Sequence, residues 1–257
     1  MDEKKRFDLV LRMGETLLAN GGEIFRTSEL MSTAAEKFGL EQFHTFIIAN
    51  GIFASSLVDG RMYSCHIKYI PLHSICLDRV EALNDLSRQI GAGVLSAEAA
   101  EGELDRICAL PMAPPWARIL ASGVGGGTFC VLFGGSLLDG WFSFLAGLLL
   151  YCFFEASDAR FPLKKVMKNL LGSALVTLFC CAVYRLGWGS LDHMVIGAIF
   201  PLVPGVQLVT SVRNFMENDY LAGLIRLTDA ILVAGCIAVG VGSVMIGWST
   251  LLGGILL

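Results

Sequence analysis

Charge is what this 257-residue chain has little of. Asp, Glu, Lys and Arg make up 16% of it against 54% for hydrophobic residues, and its mean hydropathy is +0.65. A soluble domain carries about 25% charged residues, so the composition is too apolar for one soluble globule. Basic clusters are missing as well, which argues against nucleic acid as a partner, because phosphate binding needs a basic patch or stripe. The eight cysteines (Cys65, Cys76, Cys108, Cys130, Cys152, Cys180, Cys181 and Cys236) form no CxxC and no Cys/His ligand spacing. Neither disulfide nor metal site is expected of them, and they read as small buried apolar residues. His44, His66, His73 and His193 are scattered. No GxSxG, P-loop or HExxH occurs, so nothing announces an enzyme or an ATPase, and no cofactor is expected. Met1–Asp8 (MDEKKRFD) has mixed charge and no apolar core behind it, so no signal peptide is read and the N-terminal part is expected to stay in the cytoplasm.

Long apolar runs are what the chain does have, and they lie in one half. From Trp116 onward come ILASGVGGGTFCVLFGGSLL (119–138) and MVIGAIFPLVPGVQLVTSV (194–212), each near the roughly 20 apolar residues that cross a bilayer. Residues 1–115 hold 11 Lys/Arg and 16 Asp/Glu, whereas the remainder holds 8 and 7. The pattern predicts an α-helical polytopic membrane protein: a cytoplasmic α+β domain, 1–115, followed by a transmembrane domain, 116–257. Five transmembrane helices can be drawn, at about 118–138, 141–157, 168–186, 193–212 and 221–247. With the head inside, the turn Asp139-Gly140 falls outside. Arg160, Lys164, Lys165 and Lys168 fall inside, as the positive-inside rule requires. The C-terminus is then expected outside. An odd number of spans suggests one half of an inverted-repeat transporter, the other copy being another polypeptide.

In the head, Leu9, Val10, Met13, Leu17 and Leu18 recur at helical spacing before Gly21-Gly22, and a second amphipathic stretch, Glu23 to Phe38, stops at Gly39. HTFIIANG and IFASSLVDG read as strands, with Asp59-Gly60 as a hairpin turn before MYSCHIKYI. Arg79–Ile90 and Ala97–Cys108 read as helices, and PMAPP (111–115) as a linker. Glu23, Arg26 and Glu29 share one helix face, either as an exposed ion-pair ladder or as a polar cluster at the cytoplasmic mouth of the pore.

Chemistry in the membrane half concentrates at PLVPG (201–205). Two prolines remove two backbone donors and Gly205 relaxes the chain, so the fourth helix should break near mid-membrane. Broken backbone survives there only where protein buries it or a polar cavity solvates it. The break is therefore either a structural kink or a binding site made by Pro201, Pro204 and Gly205 with Gln207, Thr210, Arg213 and Asn214. A half-helix N-terminus near Val206 would favour a carboxylate. Ionisable residues in spans cost about 2.5–3.5 kcal/mol each at a helix centre. Asp229, about two turns into the fifth span, has Arg226 at i−3, and Glu155 and Asp158 close the second span. Arg226 and Asp229 read either as an interfacial pair or as part of proton coupling or gating, with Glu155 and Asp158 the other candidates.

Two segments resemble a known family. LLANGGEIFRTSELMSTAAEKFGL resembles the opening signature of the threonine/serine exporter (ThrE-like) family, and PLVPGVQLVTSVRNFMENDYLAGLIRLTDAIL its membrane signature. Gly22, Ser28 and Asn214 depart from that pattern, and Asn214 leaves Arg213 without a neighbouring aspartate, which favours an anionic substrate. In spans and length the chain is similar to the larger subunit of the split form of the family (YjjP type). The resemblance implies export of small polar metabolites, threonine and serine or a dicarboxylate such as succinate. It also implies a smaller membrane subunit of the same family (YjjB type) as partner, in the bacterial cytoplasmic membrane. Proton motive force is the expected drive. The rival readings are a membrane-anchored sensor or regulatory subunit, which needs no mid-span break, and a membrane-bound hydrolase, which needs a nucleophile and base that are not visible.

Overall fold

A computed structural model describes residues 1–252 except 49, 59, 65–67, 71–75 and 162. The expectations attached to Asp59, Cys65, His66, His73 and the extreme C-terminus lie outside the described residues. The chain divides into two compact units, Met1–Met112 and Ala113–Leu257.

The first unit packs four helices with one small sheet. Helix α1 (Glu3–Ala19) starts where the Asp2 carboxylate accepts the Lys4 N–H, and its apolar spacing buries Phe7, Val10, Met13 and Leu17. Gly21, at φ +96°, ends it in a conformation that L side chains rarely adopt. Helix α2 (Ile24–Lys37) lies on α1, and strands β1 (Glu41–Ile48) and β2 (Gly51–Val58) pair antiparallel, with Thr45 opposite Ala54 and Phe46 opposite Phe53. β3 (Arg61–Ser64) and β4 (Lys68–Tyr69) both pair with β2. Helices α3 (Leu77–Gly91) and α4 (Ala97–Cys108) close the core with Leu83, Leu86, Ile90 and Leu104. Each such buried side chain stabilises the unit by about 1.5–3 kcal/mol relative to exposure. Arg12 Nη2 donates to Asp105 Oδ1 at 2.6 Å, tying α1 to α4, and that bond raises the Arg12 pKa above its ordinary value.

The second unit is helical: α5 (Pro115–Leu132), α6 (Leu137–Arg160), α7 (Lys165–Arg185), α8 (Leu191–Ile199), a 3-10 turn (Phe200–Leu202), α9 (Gly205–Met216) and α10 (Tyr220–Leu252). Among the described residues, α6, α7 and α10 are long and apolar enough to cross a membrane. The α8/α9 pair, bent by 57°, passes the same test jointly, which makes three spans or up to four. Helix α5 is not among them, since Arg118 and the GVGGG stretch at 123–127 dilute its hydropathy.

One boundary differs from the sequence reading. The turn after the first apolar run is Phe133–Ser136, with Gly134 at φ +97°, and Asp139-Gly140 lies inside the first turn of α6. The cause is a capping box: the Ser136 hydroxyl accepts from the Asp139 N–H while Asp139 Oδ2 accepts the Ser136 N–H at 2.8 Å. Gly140 serves packing instead of turning. A Cβ there would fall 3.2 Å from the Gly127 carbonyl oxygen of α5, and one on Gly147 would fall 2.6 Å from that of Ser122. Glycines thus let the α5 and α6 backbones meet, as small residues do between membrane helices. Ser122 Oγ bridges the same contact, donating to the Gly147 carbonyl at 2.9 Å.

A candidate substrate site at the broken helix

The break follows from its prolines. Helix α8 ends at Ile199, Phe200–Leu202 tightens into a 3-10 turn, Val203 is extended, and α9 restarts at Gly205 behind Pro204. Pro201 and Pro204 cannot donate backbone hydrogen bonds, so neither can continue the α-helical ladder across this point.

A cavity of about 420 Å³ opens beside the break. Its walls come from Arg118, Ser122 and Gly125 on α5, Tyr151 on α6, and Phe200 and Pro201 at the break. Positions 118, 122, 125 and 129 fall on one α-helical face, and Phe129 stacks on Phe200 with ring centroids 3.5 Å apart. Arg118 faces Glu155 fork to fork: Nη1 to Oε1 and Nη2 to Oε2 both measure 3.3 Å. The Arg118 Nε is buried and has no hydrogen-bond partner among the described residues. The cavity is therefore lined by one cation, which Glu155 pairs, by the Ser122 and Tyr151 side chains and by an apolar wall. That set can bind a small polar molecule; among the described residues there is no cluster able to hold a metal ion.

Of the residues singled out from sequence, Pro201 lines this cavity and Glu155 pairs with Arg118, which also lines it. The α9 residues lie one helix further on. Gln207 is half-buried, the Thr210 hydroxyl donates to its own Val206 carbonyl at 2.7 Å, and Arg213 Nε donates to exposed Glu217 at 2.9 Å. Asn214 is buried, and its Nδ2 has no partner among the described residues. Asp229 accepts a 2.6 Å bond from Lys165, linking α10 to α7, and Asp158 pairs with Lys168. Arg226 sits half-buried on α10. In the first unit Glu23 is the N-cap residue of α2, and Arg26 and Glu29 form an exposed pair at 3.6 Å.

Two residues carry more than the sequence reading gave them. Arg118 was only the edge of a span, although its spacing with Ser122 and Gly125 could have shown a shared face. Asp139 was a turn residue, yet it is 4% exposed and accepts from the Ser136 N–H and hydroxyl and, at 2.6 Å, from the Ser190 N–H. Buried carboxylates persist where donors satisfy them.

Compared with known families, the chain matches the ThrE profile, described as "Putative threonine/serine exporter", over residues 8–247. It belongs to the threonine/serine exporter family. The match runs from α1 into α10, so both units are part of what the family shares. No curated protein and no solved structure matches the chain. Membership in an exporter family, with helices able to span a bilayer, makes this a membrane transport protein of the threonine/serine type.

Proposed function

We propose that the chain is one subunit of a secondary-active exporter in the bacterial cytoplasmic membrane, working by alternating access with a smaller membrane subunit of the same family. The observation that carries this reading is the 57° break between α8 and α9 with a cavity against Pro201. In secondary transporters, discontinuous helices of this kind form substrate sites at repeat interfaces. With α5 and the α8/α9 pair each counted as a span, five helices cross the bilayer. Arg160, Lys164, Lys165 and Lys168 gather at the α6–α7 connection and favour an N-terminus inside. A partner is supported by α9, which packs chiefly on α10 and leaves Val206, Val209, Val212 and Met216 exposed.

Family membership favours threonine or serine as the exported metabolite. A dicarboxylate such as succinate is the second reading, with Arg213, Asn214, Gln207 and Thr210 of α9 as the residues that would hold it, although Glu217 already pairs with Arg213. Asp229 is the proposed coupling group, with Arg226, Glu155 and Asp158 as the other coupling or gating candidates. A proton arriving on Asp229 would release Lys165 and loosen α10 from α7. Vesicles carrying both subunits test the reading. Replacing Pro201 and Pro204 together with alanine should abolish efflux without lowering Tm, and Asp229→Asn should abolish proton-driven efflux while sparing exchange. Normal efflux from the double-alanine protein would remove the break from the mechanism, and a normal pH dependence in Asp229→Asn would move coupling elsewhere. Efflux of succinate in preference to threonine would decide for the second reading.

A further inference from the structure

We propose that the Arg118–Glu155 pair, together with the cavity behind it, is the subsite that reads the head group of an α-amino acid and selects zwitterions against dianions; this rests on the exporter reading above. Arg118 lines the cavity, and Glu155 holds its guanidinium through both terminal nitrogens. A substrate carboxylate bound there would receive a charge-assisted hydrogen bond. Glu155, held against the same guanidinium, supplies the acceptor that an ammonium group needs. The two Arg118–Glu155 contacts, at 3.3 Å each, are looser than the 2.7–2.9 Å of tight charge-assisted bonds, so a substrate can insert its own charges between them.

The selection follows from charge balance. An amino acid brings one negative and one positive group to a site that holds one of each, and all four are paired. A dicarboxylate brings two negative groups, one of which must lie near Glu155, and like charges at close range in a poorly screened cavity repel. Beyond the pair, the Phe129–Phe200 stack and Gly125 leave an apolar wall for a short side chain. Ser122 Oγ, which donates to Gly147, retains lone pairs that can accept from a substrate hydroxyl.

The test is direct binding to the full chain in lipid nanodiscs, by calorimetry, with L-threonine, 3-hydroxybutyrate and succinate. 3-Hydroxybutyrate keeps the carboxylate and hydroxyl of threonine and lacks the ammonium. Threonine should bind about tenfold or more tighter than either acid, and Glu155→Gln should erase that preference, weakening threonine through loss of one charged partner and relieving the repulsion on succinate. Gly125→Leu supplies a variant that leaves both charges in place. A Cβ at Gly125 meets nothing within 4 Å, so leucine there should fill the cavity and abolish binding while Tm holds. Equal weakening of all three ligands by Glu155→Gln, undiminished binding by Gly125→Leu, or no binding of threonine to the unaltered chain would each overturn the subsite. Failure of the exporter reading looks different: binding would follow the expected pattern and vesicles would show no efflux.

Discussion

Within the second unit Asp139, Glu155 and Asp229 carry charge on apolar helices, and all three do so with partners. Asp139 is the plainest case, a nearly inaccessible carboxylate at the start of α6 that receives the Ser136 N–H and hydroxyl and the Ser190 N–H. It joins the α5–α6 turn to the segment leading into α8, where Ser190 Oγ in turn contacts His193 Nδ1 at 2.9 Å. Alanine at 139 would strip two backbone N–H groups of their acceptor, and each buried unsatisfied group costs about 1–3 kcal/mol. Asp139→Ala should therefore destabilise the protein by roughly 2–4 kcal/mol. Asp139→Asn, which keeps one acceptor oxygen, should cost about half as much. Unfolding in detergent measures both, and an unchanged Tm for the alanine variant would show that water satisfies these donors. The capping box was legible, since Ser136-x-x-Asp139 ahead of an apolar run is a helix-start signature that outweighs a turn at Asp139-Gly140. The Ser190 contact was not, because 51 positions separate it from Asp139.

At the scale of elements, glycine sets how closely α5 and α6 approach. Gly147 stands where a Cβ would lie 2.6 Å from the Ser122 carbonyl oxygen and 3.0 Å from the Gly123 Cα, both of them rigid backbone. Gly235 on α10 meets nothing within 4 Å. Gly147→Ala should then cost about 1–3 kcal/mol through overpacking, whereas Gly235→Ala should be neutral or should stabilise by up to about 1 kcal/mol through helix propensity. Equal Tm changes for the two would contradict close α5–α6 packing. Gly123, Gly127, Gly235, Gly240 and Gly242 are small residues at near-helical spacing, each open to close helix packing. The contacts separate them: Gly123 and Gly127 face α6, Gly240 faces Ser173 on α7, and Gly235 and Gly242 face open space. Helical periodicity places a glycine on a face, but which neighbour covers that face is set by tertiary packing. The break at PLVPG was legible because proline acts on its own backbone, without help from distant residues. The Arg118–Glu155 pair was not, since 37 positions separate its members and only the α5–α6 hairpin brings them together.

For the whole molecule, a two-part transporter is the claim to test, resting on the bent α8/α9 pair. The exporter family supplies the activity, and the second subunit is the part of the proposal that transport must test. Efflux of threonine from proteoliposomes holding a proton gradient measures this directly, with the purified chain alone in one set and the chain plus the smaller subunit in the other. The account predicts gradient-driven efflux when both subunits are present and little or none from the chain alone. Full transport by the chain alone, or none from the pair, would contradict it.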